Sequence, residues 1–434
     1  MKDIIIIMGR KLNFIVLAAL VLVALICGTE YQVLSTIDTI DSGDTAWMIV
    51  ASALVFLMTP GLAFFYGGMV NKKSVISTML QSFVALGVIS ILWVIVGFSL
   101  AFGESIGGVI GNPMTFFCFK DVSVSPNPDF ATTIPFLLFA LFQLKFAIIT
   151  PALITGSFAE RIRFRSYIFF MVLFSVFIYS PLAHMTWHPD GLLRNWDVLD
   201  FAGGTVVHMS AGLAALAAAL YLGKRKHAIE KPANIPFVIL GTGLLWFGWF
   251  GFNSGSALGA NTDAVIAFAN TNIASATSMI TWLFFERFYN RKMSSLGACI
   301  GAIVGLVAIT PAAGFVTIGQ SIFIGFVAAI VSNVAIQLNK KSKIDDTLEV
   351  FPSHGVGGIV GMILTGVLAK DVGLIYGETT TFTHHMIALV GVAVFTFFGS
   401  LVLLKIVDLV LPLRVRPDQE ERGLDLSQHG ENVE

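Results

Sequence analysis

Apolar runs of bilayer length alternate along this chain with short connections that collect lysine and arginine. With ~20 mostly apolar residues as the measure of one crossing, runs stand near 45–67, 80–102, 134–156, 165–187, 203–223, 235–253, 265–285, 294–313, 317–338, 352–370 and 384–412. The pattern predicts an all-α membrane protein of eleven transmembrane helices, with a membrane domain over residues 45–413 and a tail over 414–434 whose arginines and acids, by charge alone, read as solvated. Ahead of the first span, Lys2, Arg10 and Lys11 precede an apolar run from Leu12 to about Ile26, the layout of a signal peptide covering residues 1–28. Ala24-Leu25-Ile26-Cys27-Gly28 offers no clear A-x-A cleavage site, so an uncleaved extra helix stands as the alternative.

Basic residues orient the spans, because cytoplasmic loops are enriched in lysine and arginine. Alternate connections and the tail hold eighteen: Lys72 and Lys73; Arg161, Arg163 and Arg165; Lys224, Arg225, Lys226 and Lys231; Arg287, Arg291 and Lys292; Lys340, Lys341 and Lys343; Arg414, Arg416 and Arg422. The opposite set holds only Lys120, Arg194 and Lys370. The amino end is therefore expected outside and the tail in the cytoplasm. An odd number of spans admits two inverted five-helix repeats plus a final helix, a common transporter plan. On that plan His208, near the start of the fifth span, and His354, near the start of the tenth, occupy matching places, with Gly203-Gly204 and Gly357-Gly358 allowing a tight crossing.

Composition agrees: 56% of the 434 residues are hydrophobic and 12% charged, with a mean hydropathy of +0.84, above the range of soluble domains. The 41 glycines and 38 phenylalanines suit helices that approach closely and fill the remaining volume with rings. Gly297, Gly301 and Gly305 read as a packing ladder. The net charge of −1 names no partner, and no basic stripe points to nucleic acid. Cys27, Cys118 and Cys299 are too few and too scattered for a disulfide framework or a cysteine metal site.

An ionisable ring inside a bilayer is costly, so His208 and His354 are pathway candidates. One such histidine is as readily explained by a hydrogen bond to a neighbouring helix; two, one in each half, favour function. Two imidazoles without Cys, Asp or Glu nearby are an incomplete ligand set, so no metal is expected. Phe142 and Phe146 lie one helical turn apart, His184-Met185-Thr186-Trp187 closes the fourth span, and Trp246 to Ser256 alternates aromatics with small residues. Such rings suit a small cation, at up to ~2 kcal/mol each when desolvated, with the Ser256 hydroxyl accepting a hydrogen bond.

These residues carry a resemblance. Phe142-Gln143-x-x-Phe146-Ala147 with Ala159-Glu160-Arg161, Ala183-His184-Met185-x-Trp187, Asp200-Phe201-Ala202-Gly203-Gly204-Thr205-Val206-Val207-His208, Gly248-Trp249-Phe250-Gly251-Phe252-Asn253-x-Gly255-Ser256, Thr310-Pro311-Ala312 and His354-Gly355 are similar to the ammonium transporter family, the Amt branch of Amt/Mep/Rh. The likeness runs from about residue 45 to the tail motif ending at Glu431. It implies an external ammonium site of Trp187, Phe142, Phe146 and Ser256, a gate of Phe146 and Phe252, and a narrow apolar pore lined by His208 and His354 as a proton relay. Asp200 resembles the family's buried carboxylate, and Asn253 and Thr310 are further supporting positions. A homotrimer in the prokaryotic inner membrane, with one pore per subunit and a tail that meets neighbouring subunits and a PII signalling protein, is implied too. No cofactor and no enzymatic activity are expected; a receptor that binds ammonium with little or no transport is the rival, although about 20 residues beyond the last span leave no room for a fused signalling domain.

A bare cation entering a low-dielectric lumen faces a Born cost of order tens of kcal/mol, and burial lowers a cationic amine's pKa by as much as ~3–5 units. Ammonium behind the gate is therefore expected to give up its proton and cross as ammonia, whereas potassium has no proton to lose. Electrogenic movement of ammonia and a separate proton is expected, with a neutral gas channel as the alternative. Lys145 departs from the family pattern. Either it snorkels outward or pairs with Glu104 or Asp200, or it points into the vestibule and repels the substrate.

Overall fold

The structure is a computed structural model that describes residues 15–27, 39–226, 228, 231–289 and 291–433. Its helices are α1 (Ile15–Ile26), α2 (Ser42–Met69), α3 (Lys72–Phe102), α4 (Phe136–Phe158), α5 (Phe164–Trp187), α6 (Gly204–Leu222), α7 (Ile235–Ala257), α8 (Thr262–Phe288), α9 (Ser295–Ile309), α10 (Ile318–Lys341), α11 (Phe351–Leu368) and α12 (Thr380–Val410). Among the described residues nine of these are long and apolar enough to cross a bilayer: α2 to α7 and α10 to α12. The two others on the expected positions fall short for different reasons. α9 is apolar but has 15 residues, and α8 is long but diluted by small polar side chains. Those side chains face inward, where Asn270 donates to the carbonyls of Ala313 and Val316 at 2.9 and 2.7 Å, and Ser275 and Ser278 donate to Ala302 and Gly301. Buried polar groups paired in this way avoid the desolvation penalty of an orphan.

Helices of equal rank in the two halves meet. α2 packs along α7, and the start of α11 crosses α6. The crossing depends on glycines, although the closest pair is not the expected one: a Cβ on Gly212 would overlap the backbone of Gly355. Gly358 sits against the Gly204 carbonyl and His208, whereas Gly203 answers a conformational need, with φ of 112°. The ladder Gly297, Gly301 and Gly305 lies against Glu286, Trp282 and Ser278 of α8.

Two expectations are corrected. Spacing disclosed no disulfide, yet Cys27, just after α1, is bonded to Cys118 in the loop between α3 and α4; the chain distance of 91 residues is closed by folding, which no local pattern reports. The charged start of the expected signal peptide, Lys2 to Lys11, lies outside the described residues. By charge alone residues 414–434 read as a solvated tail, but they pack on the ends of the helices. Asp425 accepts from the amides of Ile76 and Ser77, Gln428 bonds Phe164 and Ile162, and Arg414 bonds Leu222, Lys224 and Glu420. The acids and bases that suggested solvation are the groups that cap helix ends here.

Candidate functional site

Asp200 organises the end of the site that the basic-residue pattern assigns to the outer face. Its carboxylate accepts from the amides of Gly203, Gly204 and Thr205 and from the Thr205 hydroxyl, at 2.8, 2.6, 2.8 and 2.5 Å, so it saturates the first donors of α6. A charge that makes four such bonds at a helix amino terminus is strongly anchored. Gly203 must turn in the left-handed region to bring those amides together. The first turn of α6 then runs as a wide π-helix over Gly204–Met209, and the His208 amide reaches back to the Gly203 carbonyl at 3.1 Å. The matching helix α11 also opens with a π-helical turn, Phe351–Val356, which contains His354. Widened turns of this type are frequent at functional sites. The two rings face each other, Nδ1 to Nδ1 at 3.3 Å.

Above the histidines stands a column of aromatics. Phe146 stacks on Phe252 with centroids 4.1 Å apart, meets Trp187 edge-on at 5.7 Å, and is backed by Phe142 at 5.0 Å. Below Phe252, Trp249 stacks on His208 at 5.3 Å. Thr310 accepts from the Trp249 indole at 2.9 Å, and Asn253 donates to Thr271 at 2.9 Å; both supporting residues hold the aromatic column from behind. The Trp187 indole donates to the Asp200 carbonyl, and the Ser256 hydroxyl donates to the Phe252 carbonyl.

The column separates two spaces of different size. The outer cavity, 550 Å³, is lined by Phe146, Trp187, Asp200 and Ser256 and also by Gln143 and Asp263. Phe142 is fully buried and stands behind this wall, against Phe146 and Gly255. The lumen below the Phe146–Phe252 stack holds only about 10 Å³, between His208, His354, Trp249, Phe252 and other apolar side chains, Phe65 among them. That is room for about one water-sized molecule. His208 Nε2 is buried there without a hydrogen-bond partner among the described residues.

Lys145 does not face the outer cavity. Its ammonium lies 5.4 Å over the ring of Phe56 on α2, and it forms no ion pair with Glu104 or Asp200. Ring and stem together let the charge leave the span sideways.

Sequence reading missed the chemistry of the inner mouth. A 620 Å³ cavity there is lined by Glu160, Arg225, Asp345, Asp346 and Glu349, among others. Arg225 bridges Glu160 at 3.1 Å and Asp345 at 2.9 Å. Burial pushes Asp345 up, but the hydrogen bonds from Arg225 outweigh it and hold the carboxyl below its ordinary value. Asp346 caps α11 through the Phe351 amide at 2.7 Å. Burial still pushes it up to about 6. Glu349, bonded to Asn339 at 2.8 Å, is pushed up to about 7, first by burial and then by Asp346. The run Asp345-Asp346-x-x-Glu349 just ahead of His354 was the available signal.

Comparison with known proteins identifies the family. The Ammonium Transporter Family model matches residues 46–434. The chain is 47% identical over 401 residues to an ammonium transporter of Aquifex aeolicus, covering 91% of this chain and 94% of that one, and 45% identical to an ammonium transporter of Bacillus subtilis, covering 90% and 98%. Crystalline Candida albicans Mep2 superposes with a TM-score of 0.83 at 35% identity, covering 89% of each chain. A solved "Sensor Amt Protein" superposes with a TM-score of 0.82 at 30% identity, covering 91% of this chain and 99% of that one. The chain belongs to the ammonium transporter family.

Proposed function

We propose that this protein transports ammonium across a cell membrane by stripping the ion of its proton at the outer face. The observation that carries the reading is the stack of Phe146 on Phe252 above a lumen of about 10 Å³ that holds two imidazoles and almost nothing else polar. Ammonium collects between Trp187, Phe146 and Ser256, with Phe142 fixing the Phe146 ring from behind. Passing the gate removes its water, and a low-dielectric lumen disfavours the cation by tens of kcal/mol. Ammonia then moves along His208 and His354, each able to donate from one ring nitrogen and accept at the other, while the proton travels separately and the transport is electrogenic. Asp200 stabilises the site through the helix terminus it holds, without contact to the substrate.

The names of the transporters of Aquifex and Bacillus support this reading, and a sensor with little or no transport is the rival. On the same reading the eleven helices α2 to α12 all cross the bilayer, as two inverted repeats and a final helix, with the start of α2 outside and the tail in the cytoplasm. The assembly is a homotrimer in a prokaryotic inner membrane, regulated through the tail by PII.

Current recording on reconstituted protein tests the proposal. Wild type is expected to pass an ammonium-dependent current and none with potassium; a silent wild type favours the sensor. His208→Ala combined with His354→Ala is expected to lower the current by about a hundredfold, the scale of one lost proton-transfer group. Undiminished, ammonium-selective current without either imidazole would overturn the mechanism.

A further inference from the structure

Helix α1 has no interior of its own to hide in. Ile15, Val16, Leu17, Leu20, Leu22 and Leu25 are all exposed, with Leu25 at 76%, and at 3.6 residues per turn they point to every side of the helix. A helix apolar all round needs lipid as its solvent. Packing this sparse does not hold a helix in place, but a covalent bond does. Cys27, whose amide closes the last turn on the Val23 carbonyl, is bonded to Cys118, and their Cα atoms are 4.8 Å apart.

Cys118 occupies a firm position. It is buried, with φ of 55°, inside the turn Phe117–Phe119. Phe116 and Phe119 on either side pack on Phe98 at 5.3 and 5.7 Å. The same loop carries Asp129 and Phe130, which line the outer cavity. The sulfur bridge therefore lies on the face where substrate enters, which is also the oxidising face where disulfides persist. Lys2, Arg10 and Lys11 stand at the other end of the apolar run, as expected of the cytoplasmic end. From Ile15 to Cys27 a helix measures about 20 Å, and long basic side chains ahead of it can reach toward the far side of a ~30 Å hydrocarbon layer.

We propose that residues 15–27 remain in the mature protein as a further membrane helix, stapled to the outer loop through Cys27–Cys118, instead of being removed as a signal peptide. Removal through residue 28 would leave Cys118 as a lone buried thiol in an oxidising compartment. The bond forms by thiol–disulfide exchange. Two thiols give up two electrons and two protons to an exported protein disulfide, which leaves as a dithiol, while one S–S bond forms here and one breaks there.

The test uses full-length protein purified from membranes without reductant, denatured and treated with maleimide before or after reduction, and weighed intact and after digestion. We expect a chain that retains α1, no label on Cys27 or Cys118 before reduction, one label on each afterwards, and a cross-linked peptide pair that contains both. Cys299 provides the internal standard, as a free thiol in both samples. Cys27→Ser is expected to free Cys118 for labelling without reduction while the ammonium current stays unchanged. A mature chain that begins after Ile26, or a full chain whose Cys27 and Cys118 both label without reduction, overturns the proposal.

Discussion

The lumen and the inner mouth meet at the start of α11, five residues apart at His354 and Glu349, and they handle polarity in opposite ways. The lumen is 10 Å³ and leaves His208 Nε2 without a partner; the inner mouth is 620 Å³ and surrounds its carboxylates with Arg225, Asn339 and helix amides. A buried charge survives only when it is paired and hydrogen-bonded, so the mouth can hold fixed ions and the lumen cannot. The difference teaches where the ion must change character. On the proposed function, charge is tolerated down to the Phe146–Phe252 stack and again from the Arg225 ion pairs onward, and only a neutral species is at ease between them.

The strongest way to break this contrast is to open the dry side. Phe252→Ala removes one ring of the gate and is expected to cost about 3–5 kcal/mol of stability, to admit water and to let potassium current appear. Calorimetry and current recording check both effects, and a variant that stays potassium-tight would show that the stack does not exclude the ion.

Glu349 sharpens the wet side. Its carboxyl ordinarily titrates at 4.5 and is pushed up to about 7 here, so the folded state holds a proton that the unfolded state releases. Its contribution to stability is then full below pH 4.5, falls as pH rises, at up to about 1.4 kcal/mol per pH unit, and is lost above about 7. Glu349→Gln should flatten that part of a melting-temperature profile; an unchanged slope would assign the titration elsewhere.

Smaller effects follow at the crossing and at the rim. Gly212→Ala forces α6 and α11 apart at Gly355 and is expected to cost roughly 1–3 kcal/mol, with a weaker current because the histidine pair shifts. Lys145→Met should leave the ammonium current as it is, since the ammonium group sits over Phe56 and away from the outer cavity. A clear gain in apparent affinity after that change would place the charge within reach of substrate.

Each apolar run could be read as a helix because a bilayer demands about 20 apolar residues wherever the chain crosses, and the runs at 45–67 and 352–370 match α2 and α11 closely. His208 and His354 stood out because ionisable groups are costly in such runs, whereas Asp200 came from the resemblance alone. Phe142 shows the limit. Its spacing placed it on a face with Phe146, but one turn of helix does not tell a wall from its backing. The π-helical turns under both histidines were likewise unreadable, since a bond from residue 208 back to 203 depends on the Asp200 cap and on the glycine crossing rather than on the propensities of Gly204–Met209.

By itself the sequence determined the all-helical membrane architecture and the placing of its apolar runs, and it singled out His208 and His354, because these follow from local hydropathy and from the cost of isolated polar groups. Only the tertiary structure decided that the histidines meet at 3.3 Å, that Arg225 joins Glu160 to Asp345, that the tail caps helix ends and that Cys27 reaches Cys118. Those contacts join positions from 65 to more than 300 residues apart, and the free energy that selects them resides in the packed whole.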